Sequence, residues 1–271
     1  MKVVIPIAGL GTRFLPVTKV IPKEMLPING KPIIHILLEE AVNAGCNEAI
    51  LVINKEKEKI IKDYFLQTTK TTEKISKKGE NSQLKELNSL LKKIKIHYAF
   101  QAHPLGDGHA ILQAEKFVKG ESFAILFGDD IVMPLTGLKE LINTFKKTKS
   151  CVIGLEKIKK EQTKNYGIVK PKKNSPTLLN KSSQLFEIED MVEKPLPAKA
   201  PSLFGIIGKY VVTKEILKAI KDGSKSHGGE LRLIDGFREL KKTQKIFAQT
   251  MSGKRYDTGT LEGYKKAISE I

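Results

Sequence analysis

Several things are missing from this chain of 271 residues, and each absence narrows what it can be. No run of 18 apolar residues occurs, so no stretch reads as a membrane-spanning helix. The apolar stretch after Lys2 stops at Gly9, too soon for the core of a secretion signal, and the expectation is a cytoplasmic protein without a membrane partner. Cysteine is scarce: Cys46 and Cys151 lie far apart in apolar surroundings, which predicts two reduced, buried thiols. None of the five histidines forms a pair with metal-ligand spacing, and no Ser–His–Asp or reactive-cysteine signature is present. The pattern G-x-x-x-x-G-K-[ST] is absent, which excludes a P-loop. Aromatic residues make up only 6% and do not alternate with basic ones, so a nucleic-acid groove is not expected. Acidic residues are outnumbered, 30 against 47 Lys and Arg, and the formal charge of +17 favours anionic partners, whether nucleotides, sugar phosphates, nucleic acid or acidic lipid; it reads mainly as solubility plus a positive field around a phosphate site.

What is present begins at once. Val3–Ile7 is a short β-branched run suited to a buried strand, and Ala8-Gly9-Leu10-Gly11-Thr12-Arg13 follows it as a glycine-rich turn. Two glycines leave the backbone free to bend, with amide N–H groups aimed at phosphate oxygens. The dinucleotide fingerprint needs a third glycine where Phe14 stands. Prolines 16, 22, 27 and 32 predict a rigid, non-helical segment carrying Lys19, Lys23 and Lys31. Helical spacing over 32–44 and a strand over 49–53 complete a βαβ unit and predict a parallel sheet.

Further along, 66–95 reads as a lysine-rich, partly helical surface insertion, a lid or subunit contact or an ordinary charged loop and helix. Strands are expected at 96–100, 123–127 and 151–155, with helices at 109–118 and 138–147 between them. After residue 160 the alternation loosens. Short strands are expected at 166–169, 185–192, 204–212 and 244–251, and helices at 214–221, 230–241 and the C-terminus. No internal repeat or long linker marks a second domain.

In open α/β sheets ligands bind beyond the carboxyl ends of the strands. Gly9–Arg13, Gln101–His109, Gly128–Asp130 and Glu193–Lys194 all fall at such ends. Asp129 emerges from an apolar strand and is the first candidate for Mg²⁺, with Asp257 of Asp-Thr-Gly the second. Asp130 reads either as a supporting partner of Asp129 or as a helix cap.

The stretch A-G-x-G-T-R-x-x-P-x-T-K-x-x-P-K-E-M-L-P-x-x-x-K-P resembles the signature of sugar-1-phosphate nucleotidyltransferases, most of all the bacterial UTP–glucose-1-phosphate uridylyltransferases. The resemblance implies a three-layer α/β/α Rossmann-like nucleotidyltransferase fold over residues 1–271, with a mixed central sheet. Its β-rich C-terminal additions, 160–271, would serve the sugar and oligomerisation. It implies UTP and a sugar 1-phosphate as substrates, Mg²⁺ as cofactor, and a homodimer or homotetramer. Arg13, Lys23 and Lys194 would be the catalytic cations; Ala8, Gly9, Gly11 and Thr12 would hold the nucleotide. Gln101 and Gly106 would read the base, the glutamine offering a carbonyl and an amide to uracil. Gly167 and Glu193 would hold the sugar, and Asp129 would bind the metal.

Some positions depart from the family pattern. Asp107 stands where leucine is usual, Leu203-Phe204-Gly205 replaces an Asn-Leu-Ala, and Arg232 and Ile234 replace Gln and Thr. Three other readings therefore stay open: a thymidylyltransferase or a uridylyltransferase for another sugar 1-phosphate, a non-catalytic nucleotide-sugar sensor, and a basic nucleic-acid binder.

Overall fold

The structure is a computed structural model that describes residues 1–66, 82–173, 175, 177–179, 183–223 and 229–271. Lys2–Pro6 (β1) is apolar on both faces: Val3 and Ile5 enter one packed layer and Val4 the other. Only a strand covered by helices on each side can satisfy that pattern. The proline-punctuated segment after it is not extended throughout. Against the non-helical expectation it takes 3₁₀ turns at Thr12–Phe14, Val17–Lys19 and Lys23–Met25; the first is entered at Gly11 and the other two at Pro16 and Pro22, whose fixed φ suits the entry to a helical turn. Pro27–Ile28 (β2) and Lys31–Pro32 (β3) form a small ribbon that leads into Ile33–Asn43 (α1). Glu48–Ile53 (β4) then pairs parallel with β1.

Glu58–Phe65 (α2) precedes Ser82–Lys93 (α3). The first part of the expected insertion, 67–81, lies outside the described residues. The second part is a docked helix rather than an excursion, since Leu87 and Leu90 bury in the layer that α1 fills. Lys95–Phe100 (β5) follows. The helix expected over 109–118 is two pieces, Asp107–Leu112 (α4) and Glu115–Val118 (α5), where tighter bonds at Gln113 and Ala114 interrupt the α pattern. Phe123–Leu126 (β6), Asp130–Met133 (β7), Gly137–Thr148 (α6) and Val152–Lys157 (β8) come next. The later chain supplies Gly167–Pro171 (β9), Thr177–Leu178 (β10), Gln184–Glu193 (β11) and Phe204–Val212 (β12). Glu215–Asp222 (α7), Leu233–Leu240 (α8), Phe247–Thr250 (β13), Lys254–Asp257 (β14) and Leu261–Glu270 (α9) complete it.

Among the described residues the main sheet runs β10-β11-β13-β8-β12-β6-β1-β4-β5, with β9 pairing β11 and β12. β5, β4, β1 and β6 are parallel, whereas β12 is antiparallel to both its neighbours, β6 and β8. The sheet is therefore mixed, as expected, with β-rich additions after residue 160. The chain steps outward from β1 to β4 and β5 and then returns to β1's other side as β6. That reversal opens a crevice beyond the ends of β1 and β6.

One charged pair is sealed inside the packing. Lys209 of β12 and Glu40 of α1 are both fully buried, with Nζ 2.6 Å from Oε2. Glu40 Oε1 also accepts from the Leu138 amide at the start of α6, and Lys209 Nζ donates to the Asp130 carbonyl.

Candidate active site

The crevice is floored by two tight turns. At the end of β6, a Cβ on Gly128 would sit 2.5 Å from Ile7 Cγ2, so only glycine lets this turn lie against the end of β1. Asp129 follows, and Lys23 Nζ lies 2.5 Å from its Oδ2. Burial opposes the Lys23 charge, but Asp129 and Glu24 outweigh it and raise the lysine's pKa. Burial likewise pushes the Asp129 carboxyl up, yet Lys23, Arg255 and Arg13 together hold it below the ordinary value. Arg13 donates to the Gly259 carbonyl at 3.4 Å and so bends over the Asp-Thr-Gly turn. Gly11 adopts φ +67° at the entry to the first 3₁₀ turn. Ala8 is buried, whereas Gly9 and Thr12 are exposed on the loop. Lys19 is exposed, and Lys31 is turned away to Glu39 and Glu86, so of the three lysines only Lys23 faces Asp129.

Asp130 is not a helix cap, because strand β7 begins there. Its carboxylate receives the Gly208 amide at 2.8 Å and Arg255 Nε at 2.9 and 3.0 Å. The same guanidinium donates to Glu156 Oε2 (3.2 Å) and the Tyr166 hydroxyl (2.8 Å), and lies 3.9 Å from Asp257 Oδ2. Four carboxylates thus converge on this region, and Arg255 balances them. Burial raises the pKa of Asp257; Asp129 and Asp130 add to the rise and Arg255 opposes it. A methyl carbon placed on Gly259 would lie 2.6 Å from Asp129 Oδ2 and 3.1 Å from Asp257 Oδ1. Both oxygens therefore border one small space that the glycine leaves open. Arg255 was not singled out in the sequence; the only signal for it is its place two residues before Asp257.

A cavity of about 240 Å³ opens beside Asp129 and is lined by Ala8, Gly9, Lys23, Gln101 and Gly106, among others. Gly106 has φ +105°, and a Cβ there would strike the Leu231 carbonyl at 2.3 Å. Asp107, flagged as a departure, does not reach for a base. Its Oδ1 accepts from the Leu233 amide at 2.8 Å and so closes the N-terminus of α8. Burial pushes its carboxyl up, and that amide with the Gly108 amide offsets part of the rise.

On the other side of Asp129 lies a second cavity of about 220 Å³, lined by residues that include Arg13, Gly167, Glu193, Lys194, Arg232 and Asp257. At Gly167 a Cβ would lie 3.0 Å from Ile234 Cδ1 and 3.3 Å from Glu193 Oε2, so a side chain there would crowd this wall of the cavity. Glu193 Oε1 is 3.5 Å from both Lys194 Nζ and Arg232 NH1. Lys194 reaches this place through a left-handed backbone turn, φ +45°, pinned by its amide to the Tyr166 carbonyl. The two cavities meet at Asp107, Phe127 and Asp129, and every residue expected at the site except Gly11 and Thr12 lines one or the other.

Comparison with known proteins agrees with this architecture. The family described as Nucleotidyl transferase matches residues 2–271. A UTP–glucose-1-phosphate uridylyltransferase of Bacillus subtilis is 40% identical over 97% of this chain and 88% of its own. A crystal structure of apo UDP-glucose pyrophosphorylase superposes with a TM-score of 0.89 at 35% identity, covering 99% of this chain and 96% of that one. A UTP-bound enzyme from Acinetobacter baumannii gives 0.88 at 31% identity, over 99% and 92% of the two chains. With a family match over nearly its whole length and relatives at this level of identity, the chain belongs to the nucleotidyl transferase family.

Proposed function

We propose that this chain, as one nucleotidyltransferase domain, transfers UMP from UTP to glucose 1-phosphate, giving UDP-glucose and pyrophosphate by direct in-line displacement. The observation that carries the proposal is Asp129 at the junction of the two cavities, with Lys23 bonded to it and Arg13 and Lys194 lining the same crevice.

No general base is required. A phosphate monoester with a second pKa of about 6 is mostly dianionic at neutral pH and already nucleophilic. The residues have to hold two anions in line and neutralise charge on the α-phosphate and the departing pyrophosphate. Gly9 and Gly11 bring the backbone of the first turn to the triphosphate, with Thr12 beside them. Arg13 and Lys23 face its phosphates. Lys194 lies on the acceptor side, where it meets the phosphate of glucose 1-phosphate, and Glu193 accepts from sugar hydroxyls that Gly167 lets approach.

Asp129 and Asp257 fit Mg²⁺, which takes one or two carboxylates and completes its shell with phosphate oxygens and water. Their oxygens border the space beside Gly259, and the like-charge pressure that helps raise Asp257 is what a cation relieves. When bound there, Mg²⁺ supplies charge neutralisation on the α-phosphate.

The same proposal includes a homodimer or homotetramer, for which exposed Leu15, Val17, Val20, Leu261 and Ile268 offer apolar surface, and a cytoplasmic location. Among the described residues no helix is long and apolar enough to cross a membrane.

The test is a pyrophosphate-release assay with UTP or dTTP against glucose and galactose 1-phosphates. UTP with glucose 1-phosphate should be the preferred pair. Asp129→Asn should lower kcat by about 10²-fold or more while the circular-dichroism spectrum is kept. Absence of pyrophosphate would favour a sensor; near-normal turnover in the variant would sink the assignment of Asp129.

A further inference from the structure

We infer that His109 is a positioning residue that locks the Gln101 side chain so that only its carbonyl is presented to the nucleotide base. The locked carbonyl selects uridine over cytidine. This rests on the reading of the cavity beside Gln101 as the base site.

Gln101 stands at the end of β5, its backbone amide bonded to the Ile53 carbonyl and its side chain largely buried. Its Nε2 lies 3.0 Å from the Gly106 carbonyl oxygen and 3.0 Å from His109 Nδ1. A carbonyl oxygen can only accept, so the amide nitrogen must be the end that faces Gly106. One N–H is used there and the second points at Nδ1. A neutral imidazole has one acceptor nitrogen, and the shorter contact, to Gln101, assigns it to Nδ1; the hydrogen is then on Nε2, and the Gln113 amide nitrogen 3.3 Å away is not its partner but is turned to the His109 carbonyl. Burial, with the neighbouring His103, lowers the His109 pKa and favours this neutral ring. The ring is itself held in place, because the His109 amide donates to the Leu231 carbonyl and Gln113 Nε2 donates to the His109 carbonyl.

Both N–H groups of Gln101 are therefore engaged. Its Oε1 accepts no hydrogen bond among the described residues and is not sealed in the interior, so it opens on the cavity. Uracil presents an N3–H donor that matches a lone acceptor. Cytosine presents a lone pair at N3, which meets the carbonyl as acceptor against acceptor. For cytosine to bind well the amide would have to turn over, placing its oxygen against the Gly106 carbonyl and leaving Nδ1 unpaired. The expectation that Gln101 offers the base both a carbonyl and an amide is thus replaced by a one-group reading. A 5-methyl group does not alter the imide, so this lock is blind to it.

The test uses binding and needs no turnover. Affinities of UDP, CDP and 5-methyluridine diphosphate are measured by titration calorimetry for the unmodified protein, His109→Phe, His109→Ala and His109→Asn. The unmodified protein should prefer UDP to CDP. Loss of the ring acceptor in the Phe and Ala variants should cut that preference about 3–10-fold, leaving the UDP to 5-methyl ratio unchanged. Asparagine, whose Oδ1 can stand near the Nδ1 position, should restore the preference. Uridine preference unchanged in both the Phe and Ala variants overturns this inference alone. No preference for uridine in the unmodified protein overturns it together with the base-site reading.

Discussion

Replacing Lys209 with methionine tests how the sealed ion pair supports the fold and the site. Lys209 and Glu40 have no solvent exposure, so in Lys209→Met the glutamate charge keeps only the Leu138 amide for company. Removing one partner of a buried pair costs about 3–5 kcal/mol. With an unfolding entropy of about 2.1 cal/mol/K per residue, that loss lowers Tm by about 5–9 °C for a chain of this size. Glu40→Gln should cost a similar amount by stranding the ammonium. The double variant removes both charges, and the carbonyl of the introduced glutamine can still accept from Leu138; it should return to within about 1–2 kcal/mol of the parent. Urea unfolding of all four proteins gives the coupling energy. Costs that simply add would refute the reasoning. Because Lys209 Nζ also holds the Asp130 carbonyl, Lys209→Met should lose kcat more than it raises KM, and more kcat than Glu40→Gln, which keeps that contact.

Two further outcomes follow from charge placement. Arg255→Lys cannot reproduce the two-oxygen grip on Asp130 together with the bonds to Glu156 and Tyr166. Stability in urea should fall by about 2–4 kcal/mol, and unchanged stability would show that the four carboxylates are balanced by other means. For Glu39, burial raises the carboxyl pKa, but His35 and Lys31 more than offset it and hold it to about 2 against an ordinary 4.5. The unfolded chain therefore binds more protons between those values, so this stabilisation is complete above pH 4.5 and is lost as pH falls through 2. The difference in urea midpoint between the parent and Glu39→Gln should be fully developed at pH 5 and vanish near pH 2; a difference that persists at pH 2 would contradict the assignment.

The core and the first βαβ unit were legible because their signals are local. Residues 3–6 and 49–53 are apolar without interruption, and α1 keeps helical spacing up to a glycine with positive φ at position 45. The turns at strand ends were legible for the same reason, and so was the grouping of Asp129 with the first loop. What was hidden depends on partners far apart in the chain. Arg255 meets Asp130, Glu156 and Tyr166, all roughly ninety or more residues earlier. The β7–β14 ribbon forms only because those two segments meet, and no pattern in either announces it. The helix expected from 230 starts at Leu233, since Arg232 is extended and the capping acid is Asp107, from another part of the chain. Which end of Gln101 faces the cavity could not be read without the Gly106 carbonyl beside it.

The contact between Lys23 and Asp129 has a consequence for the order of events. At rest the two charges cancel, so an approaching polyanion meets no bare carboxylate at the mouth of the crevice. On the proposed function, a triphosphate seated beside Lys23 would compete with Asp129 for the ammonium. That competition would tie the release of the Asp129 carboxylate to the arrival of the nucleotide, so a single internal contact would act as a shield for the empty protein and a timer for the filled one.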